Sequence, residues 1–175
     1  GTSVLVSPVF GTGQGRLVSA TWSCGGTTIH GLAVKCPGTS AGTATVTAVD
    51  GAGNTAMASV DYPAAPKIKV TKVKLSPKKP KAGKGSKLTV TVRNTGGSAA
   101  TGVKVCAGTA KAPGTRMAPG CRSLGSVSAG KGESGRFTVR LGRKVRKRFQ
   151  VKVTVTGSNT AKVTRTNSYR PKPVK

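Results

Sequence analysis

Short runs in which apolar and polar residues alternate place the strongest constraint on how this chain folds. The most regular run puts Phe149, Val151, Val153 and Val155 on one side of an extended segment. A period of two is typical of a β-strand with one buried face. Apolar residues nowhere recur at i, i+3, i+4 and i+7 over three turns, as an amphipathic helix requires. Because clusters of Gly, Asn and Pro separate the runs, we predict an all-β chain made of sandwich modules.

The amino-terminal part contains several runs of this kind. They are Val18, Ala20, Trp22 and Cys24; Leu32, Val34 and Cys36; Ala44, Val46 and Ala48; and Ala56, Ala58, Val60 and Tyr62. Residues 50–54 read Asp-Gly-Ala-Gly-Asn, a turn sequence that joins the last two runs as a hairpin. Since Trp22 neighbours Cys24, we expect its indole ring close to any bridge there, with the indole N–H bonded at the rim.

The charge is distributed very unevenly. The chain has 30 Lys and Arg against three acidic residues, a formal net charge of +27. Up to residue 66, Arg16 and Lys35 balance Asp50 and Asp61, so the other 28 bases share residues 67–175 with Glu133 alone. A field of this sign attracts polyanions whatever the fold.

The change from a neutral to a basic sequence coincides with a proline-containing segment, residues 63–66. Pro63 and Pro66 flank two alanines, and prolines remove the backbone donors that sheet pairing needs. Both signals favour a boundary at this point. We therefore predict a neutral immunoglobulin-like module at 1–62, a linker at 63–67, a basic sandwich at 68–157, and a possible extra strand with a basic tail at 158–175.

Several features of the basic half have structural consequences. The run that begins at Ile68 changes phase near Thr71, which predicts a β-bulge or a sheet-switching strand. Cys106 is out of phase with its apolar neighbours, so a bridge from it should lie on the outer side or at an edge of the sheet. After a further strand around Val163, residues 170–173 are expected to form a mobile tail.

The four cysteines form two local pairs, one in each predicted module. Cys24 and Cys36 are 12 positions apart, and Cys106 and Cys121 are 15 apart. One pair per module favours disulfides and an oxidising compartment over free buried thiols. A zinc site is disfavoured, because the spacing is not C-x2-C and His30 is the only histidine. With no apolar run of about 18 residues and no signal-peptide pattern at its start, we expect a mature secreted form or a piece of a longer protein.

Two stretches resemble known bacterial modules. Residues 22–24 (Trp-Ser-Cys), Cys36 and residues 45–56 (TVTAVDGAGNTA) resemble the immunoglobulin-like repeats related to HYR modules. Residues 88–103 (LTVTVRNTGGSAATGV), with 121–127 and Gly130, resemble the CARDB-type and conserved-repeat modules of bacterial surface proteins.

The resemblance covers roughly residues 15–157. It implies an extracellular or cell-wall setting and a role as a spacer, an adhesive unit or an appendage, with no catalytic residues to carry over. The first module is short for such a fold, at about 62 residues. Either an initial strand has been removed with upstream sequence, or an open edge accepts a strand from a partner.

The residues needed for catalysis are scarce. His30 is the only conventional base near neutral pH, it precedes a glycine in a predicted loop, and a hydrolytic triad also needs a nucleophile and an orienting acid. Asp50 and Asn54 could be imagined as calcium ligands, but a turn role is favoured, since hard cations need more oxygen ligands. Glu133 is expected in a Gly-rich turn. We predict a protein that is not an enzyme, with no metal and no cofactor.

Two clusters of bases are the candidate polyanion-binding residues. They are Lys78, Lys79, Lys81, Lys84 and Lys87 in the first cluster and Arg143, Lys144, Arg146, Lys147 and Arg148 in the second. Lys69, Lys104 and Lys152 are expected to extend them as a stripe along outward faces. The bases fit equally well a solvated surface that keeps a β-protein soluble and protects its sheet edges.

The favoured function is a non-catalytic extracellular structural or adhesive protein that binds anionic envelope polymers, glycans or an acidic partner. One alternative is a homopolymeric fibre assembled by strand exchange through an open sheet edge. Others are an appendage of a larger secreted enzyme and a nucleic-acid binder. Nucleic acid is expected to bind only non-specifically, because the basic half has only Phe137, Phe149 and Tyr169 for stacking, two of them in core phase.

Overall fold

All strands in the described part of the chain pair in antiparallel sheets, as the alternating runs predict. The computed structural model describes residues 3–6, 16–38 and 40–172. They divide into two compact units, Gly1–Ala65 and Pro66–Lys175, and the division falls inside the predicted linker. Within these described ranges there is no helix long and apolar enough to cross a membrane.

The first unit consists of a four-stranded sheet and a two-stranded sheet. Its strands are β1 (Ser3–Val6), β2 (Leu17–Cys24), β3 (Thr27–His30), β4 (Val34–Pro37), β5 (Gly42–Asp50) and β6 (Thr55–Tyr62). The larger sheet has the order β3-β2-β5-β6, and β1 pairs with β4.

The core of the first unit surrounds a disulfide. Cys24 on β2 is bonded to Cys36 on β4, both are fully buried, and the bond joins the two sheets. Trp22 belongs to the same buried cluster, and its indole N–H donates a hydrogen bond to the Gly31 carbonyl oxygen at 2.8 Å. The predicted environment of this tryptophan is therefore confirmed.

Parts of the predicted inner face of the first unit are wrong. Val18 is 67 % exposed, because a register irregularity between Leu17 and Ser19 turns the start of β2 outward. Leu32 is 62 % exposed and precedes β4 instead of belonging to it. On β6, Ala56, Ala58 and Val60 also stay exposed, since the opposing two-stranded sheet is narrower than the sheet to which β6 is the edge.

The second unit is a larger sandwich of two four-stranded sheets. Its strands are β7 (Ile68–Ser76), β8 (Gly85–Asn94), β9 (Ala100–Ala110), β10 (Arg116–Ala118), β11 (Cys121–Val127), β12 (Gly132–Arg140), β13 (Phe149–Thr156) and β14 (Val163–Tyr169). One sheet has the order β10-β12-β8-β7 and the other β11-β9-β13-β14. Their inner faces meet in one apolar core, to which Leu88, Val90 and Val92 contribute from one sheet and Val151 and Val153 from the other. This is an immunoglobulin-like β-sandwich.

Two predicted details of the second unit are confirmed. The register of β7 on β8 shifts between Val70 and Lys72, which is the expected bulge. Cys106 lies directly opposite Cys121 on the edge strand β11, and their disulfide is on the outer side of the sheet, away from the buried Val105.

Side chains of β14 connect the two sheets at the β7 edge. Arg165 donates a hydrogen bond to the Val70 carbonyl oxygen at 2.6 Å, next to the bulge, and the Tyr169 hydroxyl donates to the Val73 carbonyl at 3.1 Å. Burial raises the pKa of Tyr169 above its ordinary value, and the nearby positive charge of Arg165 opposes this. The hydroxyl therefore remains a donor over the whole neutral range.

The expected mobile tail is wrong for residues 170–172. Pro171 is buried, and the Lys172 amide donates a hydrogen bond to the Pro80 carbonyl oxygen at 2.9 Å. The sequence could not indicate this, because the acceptor lies in a loop about 90 residues earlier in the chain. Residue 173 lies outside the described residues.

The side chain of Asn94 joins the segment before β7, the β8–β9 connection and the end of β11. It is fully buried at the end of β8. Its side-chain oxygen accepts from the Lys67 and Gly96 amides, and its side-chain nitrogen donates to the Ser98 and Val127 carbonyls. All four bonds are 2.8–3.1 Å long. One amide group thus satisfies backbone groups that would otherwise be buried without these partners.

We predict that Asn94→Ala lowers the free energy of unfolding of the second unit by roughly 2–4 kcal/mol, because buried donors and acceptors lose their partner. Chemical denaturation followed by circular dichroism measures this change. The matched control is Asn159→Ala, which removes two similar backbone bonds at an exposed turn. Equal losses in the two variants would contradict the role assigned to Asn94.

Candidate functional site

The antiparallel topology gathers three loops and the carboxyl-terminal segment at one end of the second unit. The β7–β8, β9–β10 and β12–β13 connections and the segment after β14 all follow strand ends on the same side. We call this end, made of residues 77–84, 111–115, 141–148 and 170–172, the cationic end. It carries twelve bases and no acid: Lys78, Lys79, Lys81, Lys84, Lys111, Arg143, Lys144, Arg146, Lys147, Arg148, Arg170 and Lys172.

Backbone contacts hold these segments together. The Gly83 amide donates to the Leu141 carbonyl oxygen at 2.8 Å, and the Gly142 amide donates to the Thr115 hydroxyl oxygen at 3.0 Å. At Gly142 an added Cβ would collide with the Pro113 carbonyl, so only glycine allows the two loops to approach so closely. The charged side chains therefore project from a fixed backbone.

Buried anchors separate the bases of the β12–β13 loop from the core. Leu141 and Val145 are almost fully buried, whereas all five bases around them are exposed. The alternation of anchor and charge explains how so basic a loop stays attached to an apolar sandwich. The side chains of Lys and Arg keep their heads in water while their stems cover apolar surface.

The structure brings nine of the ten predicted candidates together. The four lysines of the first cluster up to Lys84 and all five bases of the second belong to the cationic end. Lys87 does not, since it lies within β8 on the outer face of the sheet. Whether any of them binds a polyanion stays a prediction.

The predicted stripe through Lys69, Lys104 and Lys152 is wrong. Lys69 is on β7, in the β10-β12-β8-β7 sheet, whereas Lys104 on β9 and Lys152 on β13 belong to the other sheet. Alternation along each strand shows that these side chains point outward, but it carries no information about which sheet a strand joins.

Sequence reasoning missed a second basic surface, the outer face of the β10-β12-β8-β7 sheet. Its exposed bases are Lys69, Lys72, Lys74, Lys87, Arg93, Arg116, Arg136 and Arg140. They do not form runs in the sequence, because outward positions recur at every second residue of a strand. The alternation Arg136, Thr138, Arg140 on β12 is the signal that could have revealed this face.

The only acid of the second unit is far from the cationic end. Glu133 lies near the start of β12, and not in a turn as predicted. Arg140, where β12 reaches the cationic end, is seven residues away, about 24 Å at the rise of a β-strand. This is more than twice the screening length of about 10 Å at 0.1 M salt, so Glu133 does not offset the positive field of the cationic end.

His30 is exposed and contacts the neighbouring strand β2. It ends β3, contrary to the predicted loop, and its exposed ring lies 3.2 Å from the Thr21 hydroxyl, measured from Nδ1 to Oγ1. In the part of the chain that the structure describes, no three His, Cys, Asp or Glu side chains are grouped to hold a metal ion.

Asp50 closes the β5–β6 turn through its carboxylate. One oxygen accepts from the Ala52 and Asn54 amides at 2.9 and 2.8 Å, and the other accepts from the Asn54 side chain at 2.9 Å. The hydrogen bonds from the Asn54 side chain and backbone lower the pKa of Asp50 below its ordinary value. Both oxygens thus serve the turn, which supports the turn role over a calcium site.

The first unit should become less stable in acid, because protonation of Asp50 weakens these hydrogen bonds. Because its native pKa is lower than the value of about 3.8 expected when unfolded, the stabilisation is present above pH 4 and is lost as the pH falls through the native value. We expect the melting temperature, followed by Trp22 fluorescence, to fall less between pH 5 and pH 2 in Asp50→Asn than in the wild type. An equal fall in Asp50→Asn and in the wild type would contradict the assignment.

Comparison with known proteins gives similarity of fold only. The sequence matches no protein-family model and no curated protein. The chain is similar to the fibronectin(III)-like modules of Clostridium thermocellum CbhA, with 14% identity, a TM-score of 0.32, and 98% of this chain and 86% of that chain covered. It is also similar to a glycosyl hydrolase family 2 member from Bacteroides cellulosilyticus, with 11% identity, a TM-score of 0.35 and 89% of this chain covered. The chain spans only 22% of that protein.

Proposed function

We propose that this chain is a non-catalytic extracellular structural or adhesive protein whose cationic end docks on an anionic polymer of the cell surface. The observation that carries the proposal is the gathering of twelve bases from four separate segments, with no acid among them. A cluster of this kind concentrates polyanions and raises their rate of encounter.

The shape of the cationic end favours a long ligand over a small one. Lys79, Lys81, Lys84 and Lys172 line a wide, open depression and not an enclosed cavity. Small-molecule sites are usually concave and mostly apolar, and they bury most of their ligand. A flexible chain with repeated negative groups can contact several of these lysines at once.

The disulfides support an oxidising, extracellular setting for both units. Within that setting, we propose that the first unit is an HYR-like repeat and the second a CARDB-like module, as their motifs suggest. We further propose a bacterial cell-wall or cell-surface location, where such modules act as spacers and adhesive units.

The positions of the aromatic residues argue against dedicated nucleic-acid recognition. Phe137 and Phe149 are buried in the core. Tyr169 packs on Phe149 with ring centroids 5.9 Å apart, and its hydroxyl is bonded to β7. Base stacking needs exposed aromatic faces, so binding of nucleic acid through phosphate contacts alone is expected.

Two variants that lose the same number of positive charges at different places test the proposal. In the loop variant, Arg143, Lys144, Arg146, Lys147 and Arg148 are replaced by Gln. The control variant replaces the same number of exposed lysines elsewhere in the second unit: Lys69, Lys104, Lys131, Lys152 and Lys162. On immobilised dextran sulfate, we expect the loop variant to elute at clearly lower NaCl concentration than the control, because it loses clustered contacts.

The two variants have the same net charge, so elution at the same salt concentration would show that only total charge matters. That result would contradict a docking surface at the cationic end. Retention of the wild type that does not fall between about 50 and 500 mM salt would contradict the electrostatic mechanism itself.

A second candidate, assembly into a homopolymer through β6, is favoured by the exposed face of that strand. Ala58 and Val60 pair with Val46 and Ala44, which are buried, and so they point toward the same inner side. β6 is also the edge of its sheet. A strand from a second copy could pair with this edge and cover the two side chains.

Light scattering over a wide concentration range tests this second candidate. We expect wild-type oligomers that Ala58→Lys abolishes, because a charge on the inner side opposes strand addition. Met57→Lys is the matched control, since Met57 is 72 % exposed on the opposite side of the same strand and should leave assembly intact. A wild-type monomer at every concentration would remove this candidate.

A further inference from the structure

A pocket on the outer face of the β10-β12-β8-β7 sheet brings together three bases that are far apart in sequence. Lys87 on β8, Arg136 on β12 and Arg122 on β11 line it. Thr89 and Thr138 add two hydroxyl groups. The pocket is open to solvent and has a volume of about 490 Å³. It is separate from the cationic end and shares none of its residues.

The strand register fixes the relative positions of four of these side chains. Lys87 is directly opposite Thr138, and Thr89 is directly opposite Arg136. Directly paired Cβ atoms are about 5 Å apart, and diagonal ones about 7–8 Å. The two bases therefore occupy one diagonal of a square and the two hydroxyls the other, so all four side chains can converge on one small anion.

Arg122 approaches from a strand of the opposite sheet. It follows Cys121, whose disulfide to Cys106 attaches the edge strand β11 to β9. Pro119, in the short connection between β10 and β11, also lines the pocket, and its ring limits the backbone freedom of this connection. The disulfide and Pro119 thus restrict the backbone that carries the third base.

Among the described residues of the second unit, no carboxylate lines the pocket beside these three bases. Glu133, the only acid of the second unit, is three residues from Arg136 on β12, about 10 Å along the strand. Successive side chains of a strand point to opposite faces, so an odd separation places Glu133 on the other side of the sheet from Arg136. Three bases beside two hydroxyl groups, with no acid of this unit among them, favour the binding of an external anion.

We infer that this pocket binds a tetrahedral oxyanion, the phosphate or sulfate ester group of an anionic polymer. Guanidinium groups bind such anions through paired N–H donors, and the lysine and the hydroxyls supply donors for the remaining oxygens. A carboxylate has only two oxygens and would leave part of this donor set unused. The inference rests on the proposed function for the polymer, but it adds a separate site that selects the chemistry of the anion.

Titration of the full chain with inorganic phosphate, sulfate and acetate, each at constant ionic strength, tests the inference by amide chemical shifts. We expect saturable shifts at residues 87–89, 122 and 136–138 with phosphate or sulfate, and binding at least about tenfold weaker with acetate. Whether phosphate or sulfate binds more tightly distinguishes the two ester types. Arg122→Ala and Arg136→Ala should each weaken phosphate binding about tenfold, because a charge-assisted hydrogen bond is lost.

Arg93→Ala is the matched control, because it removes a base from the same outer face outside the pocket. It should leave the affinity for phosphate unchanged. Equal weakening in Arg93→Ala, or equal binding of acetate and phosphate, would overturn the inference in favour of general charge attraction. The loop variant should bind phosphate normally while losing polymer retention, so failure of the pocket and failure of the cationic end are distinguishable.

Discussion

Burial of the apolar inner faces of two sheets is the interaction on which the second unit depends. Its 28 bases repel one another, and the packing of residues such as Leu88, Val90, Val151 and Val153 opposes this repulsion. Each fully buried aliphatic side chain contributes about 1.5–3 kcal/mol. Since side chains alternate along a strand, the apolar and the charged residues are interleaved in sequence and yet separated in space.

Polar contacts then determine how the two sheets meet. Asn94 satisfies buried backbone groups at one end of the sandwich, and Arg165 and Tyr169 bond to the carbonyls of β7 along one edge. The amide of Lys172 secures the carboxyl-terminal segment to the β7–β8 loop. These contacts fix the loops, and fixed loops present charge at defined positions at a smaller entropic cost on binding.

The arrangement of charge suggests two levels of recognition. In our proposals, the cationic end attracts polyanions over a long range, whereas the pocket around Arg122 and Arg136 distinguishes one anion from another by its oxygen geometry. The disulfide at Cys121 attaches the strand that carries Arg122 to its neighbour, and such bonds persist in the oxidising environment of extracellular proteins.

The sequence by itself determined the all-β class, most of the strands, the break of phase in β7, the two cysteine pairs and the place where charge begins, because periodicity, turn residues and spacing are local properties. Only the tertiary structure decided that the clusters at Lys78–Lys84 and Arg143–Arg148 meet, that Lys69 and Lys152 lie on different sheets, and that β6 is left uncovered. Each of these depends on which strands become neighbours. Alternation fixes the face of a side chain within its own sheet, but the pairing of sheets is settled by contacts between residues far apart in the chain.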